Sequence, residues 1–250
     1  MNRSKLFVIN AFLSISLIFS CGSETNDNKD LIENLLRNDK ESFDAILDNL
    51  KKNEVQIIYT QINRDNANNP SFKSFYFNVD PKRYFYPAST VKMPAALLAL
   101  EKLQNLNIEG LDRNTTFLTD SAYNGQSAVM NDSTSENELP NIAHYIKKIF
   151  IVSDNNAYNR IYEFIGQEEI NRKLHAKGYT STRLIHRLSI PLSLEENQHT
   201  NPVRFLNGDS IIYEQPLVKS ALNYQPDEKI LKGIAYVDND GQLIQAPLST

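Results

Sequence analysis

Apolar positions fall along the chain in alternating helical and strand periods. Over residues 30–50, Leu31, Ile32, Leu35, Leu36, Phe43, Ile46, Leu47 and Leu50 recur at helical spacing and predict one or two amphipathic helices. Residues 55–62 are rich in β-branched side chains and predict a strand. The Asn-rich cluster at 65–70 predicts a turn, and 72–79 the partner strand of a hairpin. Pro87 favours extended backbone at Tyr86, so no helix runs in from upstream. A helix then follows in which Val91, Met93, Ala95, Ala96, Leu97, Leu98, Ala99, Leu100 and Leu103 are apolar nearly all round. Such a helix belongs in the interior of a domain. Pro94 falls near its first turn, where proline costs least. Residues 119–138, heavy in Asn, Ser and Asp, predict a loop. Pro140 opens a helix that runs to Phe150, another runs from Asn155 to about Ile165, and 167–175 is helical in pattern too. Beyond Pro202 the pattern weakens, although 231–237 and 242–247 flank Asp238-Asn239-Asp240-Gly241, a hairpin signal. The chain has no internal repeat.

Composition narrows the class. With 250 residues, 41% of them hydrophobic, the chain can build one domain with a large core, or one domain with a helical insertion. A net charge of −4, with no basic stripe interleaved with aromatics, gives no reason to expect a nucleic-acid partner. At the N-terminus, Arg3 and Lys5 precede an apolar stretch at 6–19 that ends in Ser20-Cys21-Gly22. The stretch is short for a membrane span and has the flanks of a signal peptide. Residues 1–20 therefore read as a signal peptide and 21–30 as a polar tether. Cys21 stands where a bacterial lipoprotein is cleaved and lipidated; a stray cysteine after an ordinary signal, or a short membrane anchor, are the alternatives. The expectation is an exported protein of the cell envelope, held to the membrane by a lipid on Cys21. As the only cysteine, Cys21 leaves nothing for disulfides or thiolate metal sites. His144, His175, His186 and His199 lack metal-ligand spacing and read as surface or packing residues. No cofactor is implied.

The candidate chemistry lies in Tyr86-Pro87-Ala88-Ser89-Thr90-Val91-Lys92. Ser89 and Lys92 stand three apart, which puts them on one helical face. A serine hydroxyl is a weak nucleophile and needs an adjacent base. A lysine can serve when burial lowers its pKa. A chain this rich in Ser and Lys shows about one such pair by chance. The structural alternative is that Ser89 caps the helix and Lys92 reaches out to water. A second segment, Ser153-Asp154-Asn155, sits at a junction after an apolar helix, where a cap and turn would also explain it.

Ser-x-x-Lys followed by Ser-Asp-Asn supplies two of the three motifs of class A β-lactamases and penicillin-binding proteins. On Pro87 to Lys92 and on Ser153-Asp154-Asn155-x-Ala157-x-Asn159, over about residues 55–205, the chain resembles the class A β-lactamase-like serine hydrolases, of the kind carried by Bacteroidota lipoproteins. The resemblance implies an α/β (α+β) fold in which an antiparallel sheet flanked by helices carries an all-helical subdomain between its strand groups. Residues 31–250 would be the N-terminal portion of that domain, with only its first two strands. Such a two-strand sheet would leave an apolar face open. The third motif, Lys-Thr/Ser-Gly, is absent; it would fall just past Thr250, and Lys232-Gly233 lacks the hydroxyl residue and comes early. The resemblance also assigns roles: Ser89 nucleophile, Lys92 base, Ser153 proton relay, and Asn155 holding a β-lactam or peptidoglycan-like substrate. The family's deacylating glutamate has Ser189 in its place. Glu195 and Glu196 are nearby but out of register and read as solvated loop charges. Deacylation should then be slow, which leaves a penicillin-sensing or peptidoglycan-binding lipoprotein as the alternative. Either reading requires Ser89 and Lys92 to face each other in an enclosed cleft, with the 153–155 turn as its opposite wall.

Overall fold

A computed structural model describes residues 27–222 and four short strands between 231 and 249, with side chains from 31 to 222. Cys21, the signal segment and the turn at 238–241 lie outside the described residues. The chain forms two compact units, Met1–Tyr84 and Phe85–Thr250.

In the first unit, helices α1 (Asp27–Asn38) and α2 (Lys40–Leu47) precede the strands β1 (Ile57–Arg64) and β2 (Pro70–Phe77). The strands pair antiparallel from Ile57↔Phe77 to Arg64↔Pro70. Asp65 makes the turn: its Oδ1 accepts from the backbone N–H of Ala67 (2.9 Å) and of Asn69 (2.8 Å). One face of the hairpin supplies Phe75 and Phe77 to a small core with Ile32 and Leu47. The opposite face presents Ile58, Ile62, Phe72 and Tyr76 to solvent, the open apolar face expected of two strands.

The second unit begins with a 3₁₀ turn, Ala88–Val91, that runs into α3 (Lys92–Leu106). There follow β3 (Thr116–Thr119), α4 (Ile142–Val152), α5 (Asn155–Ile165), α6 (Gln167–Ala176), α7 (Leu194–Gln198), β4 (His199–Thr200), β5 (Val203–Asn207), β6 (Ser210–Gln215) and β7 (Val218–Lys219). The last strands are β8 (Leu231–Lys232), β9 (Tyr236–Val237), β10 (Leu243–Gln245) and β11 (Leu248–Ser249); β9 pairs with β10 antiparallel, as the hairpin signal implied. The helical part is not all helical. β3, β5 and β6 form a three-stranded antiparallel sheet, with Phe117 opposite Phe205. β3 spans four residues, too few for alternation to stand out in the sequence. It nonetheless buries Phe117, whose ring lies 4.9 Å from Phe205 and 5.7 Å from Phe164.

The expectation for α3 needs correction. Met93 and Leu97, one helical turn apart, are more than half exposed, so α3 buries only one side. The helix buried all round is α5, from Ala157 to Ile165, despite its Asn, Arg and Glu. Its buried Asn159, Arg160 and Glu163 each find a partner inside, which offsets much of the cost of burying them. Apolar content marks what a helix could bury; partners decided which helix went to the centre.

At the C-terminal end of α5, Lys102 donates to the Phe164 carbonyl (2.5 Å) and Gln215 Oε1 (2.5 Å), with its nitrogen 4.6 Å over the Phe164 ring. Burial lowers Lys102 to about 8 from an ordinary 10.5. The unfolded chain then holds a proton that the folded chain has released, so stability rises with pH from 8 towards 10. The slope is at most about 1.4 kcal/mol per unit for one such group. Lys102→Met is expected to flatten that rise in urea midpoints measured at pH 8, 9 and 10. An unchanged slope would mean that Lys102 titrates normally.

Candidate active site

Ser89 lies in the 3₁₀ turn just before α3. The turn is closed by Thr90, whose N–H (3.1 Å) and hydroxyl (2.7 Å) both donate to the Pro87 carbonyl. Ala88 is held at φ +47°, a left-handed conformation that costs a residue with a Cβ on the order of 1–3 kcal/mol. Neither the 3₁₀ turn nor α3 has a side-chain cap, so Ser89 is not a capping serine. Lys92 does not reach out to water either; it is 2% exposed.

The Lys92 nitrogen is instead surrounded by oxygens. It lies 3.2 Å from Ser89 Oγ, 3.0 Å from Ser153 Oγ and 2.6 Å from Asn155 Oδ1, and it also donates to the Ser153 carbonyl. The Ser153 carbonyl and Asn155 Oδ1 can only accept. In a neutral amine they take both hydrogens and leave the lone pair for a serine hydroxyl. Burial holds Lys92 below the ordinary lysine value, with the Asp154 carboxylate pulling the other way.

The turn between α4 and α5 brings these acceptors to Lys92. Ser153 ends α4 in a left-handed conformation (φ 54°, ψ 41°), with its N–H bonded back to the Ile149 carbonyl. The reversal lets one residue offer both its carbonyl and its hydroxyl to Lys92. Asp154 caps α5 by accepting from the Ala157 N–H (2.8 Å). Lys148 lies 3.7 Å from Asp154 and 2.9 Å from Asp132, tying the turn to the 132–138 loop.

Asn155 and Asn159 share one face of α5. Asn155 Nδ2 donates to Ser189 Oγ at 2.6 Å. Asn159, fully buried, donates to the Leu188 carbonyl (2.9 Å) and accepts the Leu188 N–H (2.8 Å). This two-point clamp fixes the backbone beside Ser189, which has φ +57°. Sequence reasoning quoted Asn159 but gave it no task; a side-chain amide one turn beyond Asn155 was the available signal.

Ser89, Lys92, Ser153 and Asn155 thus meet within one unit. The cleft is less enclosed than expected: Lys92 forms the buried floor of an open shelf, with Ser89, Ser153 and Ser189 exposed around it. Glu195 and Glu196 are not merely solvated charges. Glu195 accepts from the Tyr123 hydroxyl (3.1 Å), and Glu196 from the Ser193 N–H (2.7 Å) and Asn124 Nδ2 (2.7 Å). Each histidine has a local partner: His144 has Asp132 (3.2 Å), His175 the Thr182 carbonyl (2.8 Å), His186 the Arg187 carbonyl (2.8 Å), and His199 the ring of Tyr123 at 3.8 Å. Among the described residues, no group of three His, Cys, Asp or Glu is placed to hold a metal ion.

A buried lysine nitrogen 3.2 Å from a serine hydroxyl, on this mixed α/β scaffold, is the equipment of a β-lactamase-like hydrolase that acts on small molecules. Comparison with known families agrees: the model of the beta-lactamase enzyme family matches residues 38–220. The chain belongs to that family. Neither the curated proteins nor the solved structures gave a match.

Proposed function

We propose that the protein is a serine acyl-enzyme of the β-lactamase/D,D-peptidase type that acylates readily and deacylates slowly. The observation that carries the reading is the Lys92 nitrogen 3.2 Å from Ser89 Oγ, with both pure acceptors beside it already bonded. Ser89 Oγ attacks the carbonyl carbon of a β-lactam or related amide or ester, and its proton passes to neutral Lys92. The Ser89 N–H, at the start of the helical segment, supplies one donor for the developing oxyanion. The proton then travels from Lys92 through Ser153 Oγ, 3.0 Å away, to the leaving nitrogen as the C–N bond breaks. The product is an ester on Ser89. Asn155 holds the substrate amide through its remaining Nδ2 hydrogen.

Hydrolysis of that ester needs a base for water. On the family resemblance, Ser189 takes the place of the carboxylate that would serve, and Glu195 and Glu196 have partners of their own. This favours a second reading of the same site, a long-lived covalent sensor of β-lactams. An N-terminal signal and a lipid on Cys21 would hold such a domain at the cell envelope.

Intact-protein mass spectrometry of the full-length protein with benzylpenicillin tests both readings. The expected result is a mass increase equal to the whole antibiotic, mapped to the Ser89 peptide and persisting for minutes to hours. An adduct that vanishes within seconds with release of penicilloate favours a true β-lactamase. No adduct with benzylpenicillin or an activated ester overturns the acyl-enzyme reading.

A further inference from the structure

Ser189 has an atomic contact that connects it to the proton-transfer machinery. Its Oγ accepts from Asn155 Nδ2 at 2.6 Å, and Asn155 Oδ1 accepts from Lys92 at 2.6 Å. The amide therefore spans from a donor on one side to an acceptor on the other. Two further observations show that the 188–189 segment is held for this contact. Asn159 grips both backbone polar groups of Leu188 from inside the unit. Ser189 itself keeps a left-handed backbone, which a residue with a Cβ adopts at a cost. The adjoining Arg187 is anchored as well: its N–H donates to Asn197 Oδ1 (2.8 Å) and its guanidinium to the His199 carbonyl (2.7 Å).

We propose that Ser189 is a positioning residue: its hydroxyl holds the Asn155 amide against Lys92, so that the lysine nitrogen stays buried and within reach of Ser89. The inference rests on the acyl-transfer reading above and deepens it. The hydroxyl at 189 has a task in forming the ester, besides leaving its hydrolysis without a base. Without that acceptor, the Asn155 side chain loses its outer support, swings towards solvent and admits water beside the lysine nitrogen.

The variants follow from the backbone. Ser189→Gly removes the oxygen and keeps the left-handed conformation at no steric cost. Ser189→Asn also tolerates that conformation and returns an acceptor oxygen. In Ser189→Gly, acylation by benzylpenicillin is expected to slow about threefold to tenfold, the worth of one hydrogen bond. The Lys92 titration, followed by NMR of its 13Cε, should move up towards the ordinary lysine value. Ser189→Asn should recover much of both. A merely structural role for Ser189 would lower the thermal midpoint and leave the lysine titration where it was. An unchanged Lys92 titration in Ser189→Gly, or Ser189→Asn behaving like glycine, overturns the proposal. If the titration moves as expected while even the wild-type chain forms no adduct, the positioning stands and the acyl-transfer reading falls.

Discussion

Replacing Lys92 with methionine will slow acylation of Ser89 by about 10²- to 10⁴-fold, the usual contribution of a positioned general base. At 1.36 kcal/mol per tenfold, this is about 2.7 to 5.4 kcal/mol of barrier. The size follows from the geometry: the lysine nitrogen is the only amine within hydrogen-bond reach of Ser89 Oγ among the described residues. Methionine also leaves the Ser153 carbonyl and Asn155 Oδ1 without their donor, so part of any loss could be structural. Lys92→Arg separates the two effects, because arginine keeps hydrogen-bond donors for the turn but cannot give up its proton to act as a base. If Lys92 only braces the turn, arginine should rescue it; if it is the base, both variants should be slow while Ser89→Ala forms no adduct at all. The readout is the rate of adduct formation, with the thermal midpoint taken in parallel. A wild-type rate in Lys92→Met would mean that another group takes the proton.

The second large effect is on stability. Glu163→Gln is expected to destabilise the Phe85–Thr250 unit by about 3–5 kcal/mol, the cost of leaving buried charge without its partner. One carboxylate oxygen of Glu163 meets two guanidiniums, Arg160 at 2.7 Å and Arg187 at 2.8 Å, and all three side chains are at most 5% exposed. Each guanidinium reaches onward to loop backbone. Arg160 donates to the Ser127 carbonyl, and Arg187 to the carbonyls of Glu196 and His199. Losing the carboxylate therefore loosens the segments flanking the site as well as the core. Burial works against the Glu163 charge, and both arginines favour it. Urea unfolding should accordingly be measured at pH 8, where the group is ionised. A loss below about 1 kcal/mol would show that water already compensates the arginines.

Much of the site was legible in the chain because its spacing is local. Ser89 and Lys92 share a helical turn, and Ser153-Asp154-Asn155 is a helix end followed by a cap; both are short-range patterns. The hairpin was legible for the same reason, its strands shifted by two residues in each case. What stayed hidden was the work of polar residues across long stretches of chain. Nothing local says that Asn159 will grip Leu188, 29 residues on, or that Glu163 will collect Arg187 as well as its helical neighbour Arg160. Those partners are also why a polar-looking α5 is central while the apolar α3 shows Met93 and Leu97 to solvent. Hydrophobic pattern measures what a segment gains by leaving water; it is blind to polar groups that find each other inside.

Three residues beside the candidate chemistry, Ala88, Ser153 and Ser189, have positive φ without being glycine. This restricts the substitutions that evolution can explore there. A threonine would preserve the hydroxyl at 153 or 189, but its branched Cβ is poorly tolerated in left-handed backbone. A glycine would fit the backbone and forfeit the oxygen. Serine is thus the small compromise that meets both demands, and variation among natural homologues should run through serine, asparagine, aspartate and glycine at 153 and 189, with threonine rare.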